Sequence, residues 1–112
     1  MDAYNKAREA YYIAYESINV KENEKIVLEC KTFWCYHFAL TIKNANIKAH
    51  EQVILELNNA YYSYVFARDI PAANIEEHFK VVLNSGDKVW FDYFIKDVNY
   101  KNTKVAEWLL YI

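Results

Sequence analysis

A chain of 112 residues, 54% of them hydrophobic but with one glycine and one proline, has room for a single domain with a continuous core and too few turn residues for a β-rich fold. Its formal charge of -2 is spread evenly, so it lacks the clustered Lys and Arg that displace counterions from phosphates, and nucleic acid is not expected as a direct ligand. The opening residues are acidic and polar where a secretory signal needs a basic start and an apolar run, and no stretch approaches the ~18 apolar residues of a membrane span. A soluble, cytoplasmic protein is expected.

Taken in chain order, the first quarter is the least regular. Val27, Leu28 and Glu29 match Ile54, Leu55 and Glu56 further on, Asn19 stands opposite Asn46, and Tyr11 stands opposite Phe38. A weak first copy of a repeat fits a terminal unit with one side facing water. Next come three clearer copies. A shift of about 28 residues aligns Trp34, Tyr62 and Trp90, then Phe38, Phe66 and Phe94, then Ile42, Ile70 and Val98. The spacing i, i+4, i+8 places each trio on one helical stripe. The same shift aligns Asn46, Asn74 and Asn102, pairs His50 with His78, and aligns Val53, Val81 and Leu109. That is a second helix per copy.

The asparagines stand where an N-cap is needed, and Asn74-Ile75-Glu76-Glu77 has capping-box spacing just after the turn at Pro71. Asn58-Asn59 and Gly86-Asp87 tolerate the left-handed conformation that stops a helix. The predicted fold class is therefore all-α: about four tandem helical hairpins, spanning 5–32, 33–59, 60–87 and 88–112, with up to eight short helices stacked as a small α-solenoid. Helices this short are marginal alone and need stacking.

The pattern W/Y-x-x-x-F-A-x-x-I followed by A-N-I-x-x-H-x-x-V-I/V-L, in residues 34–55 and 62–83, resembles short helix-turn-helix repeat proteins of low-GC bacteria and their phages. It is also broadly similar to TPR and HEAT arrays, without their signature residues or longer periods. The resemblance implies a scaffold for protein contacts and transfers no catalytic residue. A lysine excess over arginine and abundant Asn, Ile and Tyr fit the AT-rich codons of such a source.

Chemistry finds little footing. His50 and His78 share a repeat position and could ligate a metal, but a repeat-specified histidine more often packs its ring and bonds a turn. Cys30, Cys35 and His37 lie close in sequence, yet their spacing fits no closed zinc pattern, and helix packing explains both cysteines as free thiols. Interleaved lysines make the acidic residues Glu22, Glu24 and Glu29 a solvated face. Neither a phosphate loop nor a serine elbow is present, so no catalytic residue, metal or cofactor is assigned.

The aromatic excess, 18% of the chain with eleven tyrosines, exceeds what a core of Leu, Ile and Val needs. Tyr36 and Tyr64 stand two residues after the Trp34 and Tyr62 stripe, about 200° round the helix, and are read as pointing away from the seam. Continuing this face gives a partner-binding ladder of Tyr36, Leu40, Tyr64, Arg68, Asp92 and Lys96, because Tyr and Arg dominate interface hot spots. At the other end, Trp108, Tyr111 and Ile112 fall where a polar capping helix would be expected, which suggests a homodimer through the C-terminal helix. The expected function is a non-enzymatic protein-binding module, most concretely a phage or mobile-element inhibitor that blocks a host complex, comparable in size and style to anti-CRISPR proteins. The alternatives are an assembly module or fragment of a longer repeat protein, and a small enzyme using His50 and His78 or Cys30, Cys35 and His37.

Overall fold

The computed structural model describes residues 1–98, which form helices and connecting turns with no strand among them. Seven helices follow one another: α1 (Ala3–Tyr15), α2 (Val20–Cys30), α3 (Trp34–Thr41), α4 (Ile47–Leu57), α5 (Ala60–Asp69), α6 (Ile75–Ser85) and α7 (Lys88–Val98). None of them is long and apolar enough to cross a membrane. The chain divides into two compact units, Met1–Leu57 with α1 to α4, and a second that begins at Asn58 and contains α5 to α7.

Local chemistry sets the helix ends. Asp2 caps α1 by accepting from the Asn5 amide at 2.8 Å, Asn59 caps α5 from Tyr62 at 3.0 Å, and Asn74 caps α6 from Glu77 at 3.3 Å. The Asn46 side chain does the same for α4 through the Ala49 amide at 3.2 Å. Asn19 departs from the pattern: it is left-handed, with φ 43°, and makes no side-chain cap bond. Gly86 closes α6 at φ 72°, and Asn58 follows α4 at φ 51°, so both expected stops are left-handed.

In the first unit, Ala7, Ala10 and Ala14 line the buried side of α1, and their small side chains let α2 approach closely. Tyr11 is buried among them; its ring lies 5.3 Å from Trp34 and its hydroxyl meets Thr41 Oγ1 at 2.6 Å. Val27, Cys35, Phe38, His50 and Ile54 belong to the same core. Phe66, Phe79, Val82, Phe94, Val98 and His78 are among the buried residues of the second unit, where Phe79 lies 5.7 Å from Phe94. The stripe phenylalanines Phe38, Phe66 and Phe94 are all fully buried. One arrangement occurs in both units: the ring of His50 stacks on Phe38 at 4.9 Å, and that of His78 on Phe66 at 5.1 Å.

Candidate interaction surface

The two repeat histidines are held inside their own units. The Nε2 of His50 faces Glu24 Oε2 at 2.9 Å, and the same oxygen accepts the Asn46 amide at 2.8 Å. One carboxylate from α2 therefore anchors both the start of α4 and its buried histidine, with Nε2 as the protonated donor and Nδ1 without a hydrogen-bond partner among the described residues. His78 Nδ1 lies 3.0 Å from Ser63 Oγ. Among the described residues no three His, Cys, Asp or Glu side chains are grouped to hold a metal ion.

Burial holds the His50 pKa below its usual 6.5, with Glu24 opposing, and burial lowers His37 as well. As pH falls through 6.5 the unfolded chain takes up protons that the native state resists. Stability from these groups is therefore complete above that value and is lost as pH falls toward the lowered native pKa. The melting temperature is expected to drop between about pH 7.5 and about pH 5.5, and a His37→Gln/His50→Gln variant should flatten most of that slope. An unchanged slope, read by circular dichroism, would contradict this account.

Of the two thiols, Cys30 is half-buried and Cys35 lies in the core. Cys35 is fully buried, its Sγ points at the Val27 carbonyl at 3.7 Å, and burial pushes its pKa up to about 12. A thiol so reluctant to ionise makes a poor nucleophile at neutral pH. His37 is packed against Trp34 and Phe33, with ring centroids at 4.7 and 5.3 Å.

The expected outward ladder is only partly on the surface. Tyr36 is 8% exposed and stacked flat on Phe33 at 4.9 Å, and Tyr64 is 3% exposed. Both are core residues, a correction to the outward reading. The physical reason is clearest in α5, which packs against both α6 and α7. Its Phe66 stripe faces α6, while the opposite side carries Tyr64 onto Trp90 and Tyr93 of α7. A helix with neighbours on two sides buries two faces, of which the stripe reports only one.

Tyr64 is also the centre of a polar cluster. Its hydroxyl donates to Asp97, and the Arg68 guanidinium sits 5.1 Å above its ring. Arg68 is bound through two nitrogens to Asp69, at 2.7 and 2.9 Å, and that pairing raises its pKa further. Burial, reinforced by Asp97, raises the Tyr64 pKa. Arg68 keeps 40% of its side chain exposed, Leu40 is exposed on α3, and Asp92 and Lys96 are exposed on α7. Trp108, Tyr111 and Ile112 lie outside the described residues.

What does reach the surface of the second unit is a run of rings that the ladder omitted. Tyr61 is 40% exposed, Tyr93 46% and Val89 58%. Half-buried Trp90 joins them, with its ring centroid 4.8 Å from Tyr61 and 5.8 Å from Tyr93. Arg68 borders the group through Tyr64. A signal for it existed: Phe33, Tyr61 and Val89 share the repeat position just before the Trp34, Tyr62 and Trp90 stripe. Comparison of the chain with protein-family models, with curated proteins and with solved structures gives no match.

Proposed function

We propose that the chain is a non-enzymatic protein-binding module that captures its partner on the α5–α7 surface made by Tyr61, Val89, Trp90 and Tyr93, with Arg68, Asp92 and Lys96 at its border. The observation that carries this reading is the exposure of a contiguous aromatic group already braced by its own ring contacts. Rings held in place lose little conformational freedom on binding, and Tyr, Trp and Arg dominate interface hot spots. Arg68, tied down by Asp69, presents a fixed charge rather than a flexible one.

The chain acts as a small helical-repeat scaffold in the cytoplasm, its 28-residue register supporting a solenoid of stacked hairpins. The narrower form of the proposal, an inhibitor from a phage or mobile element that covers a surface on a host complex, draws on small size and lysine-rich, arginine-poor composition.

The test compares two surface variants in affinity capture from a low-GC bacterial lysate. Tyr61→Ala/Tyr93→Ala is expected to lose the dominant partner of the wild-type protein, a fall of about 100-fold or more in affinity, with a melting temperature within a few degrees of wild type. Glu76→Ala/Lys80→Ala, on exposed α6 positions, should retain it. Retention of the same partner by both variants would place binding elsewhere.

A further inference from the structure

The exposed side of α1 carries an apolar surface in the first unit. Tyr12 is 55% exposed and Ile18 53%, and with Ile13 and Met1 they floor a depression of about 500 Å³. Arg8, Glu9 and Glu16 line the same depression, with Arg8 one turn before Tyr12 and Glu16 one turn after it. Neither Arg8 nor Glu16 forms an ion pair among the described residues. Glu16 is moreover the C-cap of α1, whose last turn contains no basic residue. A carboxylate there faces the negative end of the helix dipole, and a cation beside it would be stabilising.

We infer that this face is where two copies of the chain meet, with their α1 helices antiparallel about a two-fold axis at Tyr12. The placement of Arg8 and Glu16 about Tyr12 selects this occupant, while Glu9 falls opposite Tyr15 of the other copy. Arg8 and Glu16 are equidistant from Tyr12, about 12 Å apart along the helix, so an antiparallel copy sets Arg8 of each chain against Glu16 of the other. A parallel copy would oppose like charges. The two-fold arrangement also sets Tyr12 on Tyr12, covers Ile13, and supplies the cation that the C-terminal end of α1 lacks, twice per dimer. It is a self-complementary surface of the kind that closed two-fold dimers use. The inference concerns α1 alone and is independent of the proposed α5–α7 surface.

Sedimentation velocity with charge reversals tests it. Wild-type protein should dimerise. Arg8→Glu and Glu16→Arg, both on exposed positions and both expected to keep wild-type helical content, should each weaken the dimer by roughly 100-fold, because two like-charge pairs face each other in each case. An equimolar mixture of the two variants should form a heterodimer, and the double variant should dimerise like wild type. Arg8→Ala, which removes the pairs without adding repulsion, should lose about tenfold. A monomeric wild type, single reversals that dimerise as tightly as wild type, or a mixture that stays monomeric would each overturn the inference.

Discussion

Replacing Phe66 with alanine is expected to destabilise the protein by about 3–5 kcal/mol, enough to remove much of the stability of a domain this size. The ring is fully buried at the centre of the second unit, stacked on His78 and belonging to the stripe that faces α6. Truncation removes its transfer free energy and leaves a cavity that the short helices around it cannot fill by collapsing. His78, also fully buried, loses the ring that covers one face of its imidazole. Urea unfolding followed by circular dichroism should show the midpoint moving far down with little change in slope. Leu40→Ala, at an exposed position of α3, should stay within about 0.5 kcal/mol of wild type. A Phe66→Ala protein within about 1 kcal/mol of wild type would mean that this stripe is not the core.

The second large effect is expected at Tyr64, and it separates packing from binding. Tyr64→Ala should destabilise by about 3–4 kcal/mol, since it empties the space between α5 and α7 and uncovers Trp90. Tyr64→Phe keeps the ring and removes only the hydroxyl, which donates to Asp97 and accepts a 3.3 Å bond from the partly exposed Arg68. Asp97 is half-buried and can turn to water, so the loss should be about 1 kcal/mol. Both values come from the same unfolding curves. An alanine variant as stable as the phenylalanine variant would return Tyr64 to the surface and restore the outward ladder.

The contrast between these residues explains what could be read from the chain. Phe66 was legible because a stripe at i, i+4 and i+8 repeated at a fixed interval reports one covered face of a helix. Helix ends were legible for a similar reason: Asn58, Asn74 and Gly86 have short-range chemistry that specifies local backbone geometry. Tyr64 was misread because periodicity says nothing about a second neighbour on the opposite side of α5. Its hydroxyl partner stands 33 residues away, just as Glu24 lies 26 residues before His50, and no local pattern announces either bond. Burying a tyrosine requires such a partner, so an aromatic excess alone cannot separate core rings from surface ones. Tyr61 carries a sequence signal in its position just before the stripe, but that its ring and that of Tyr93 reach the surface follows only from the neighbours of α5 and α7.

The most direct test of the binding surface is site-specific photocrosslinking in bacterial lysate, with a photoreactive phenylalanine analogue placed at Tyr93 or, on α6, at Lys80. One dominant adduct is expected from position 93 and none of that mass from position 80. Adduct formation of the same mass and yield from position 80, or none from position 93 while the partner is still captured, would contradict the assignment of the α5–α7 surface.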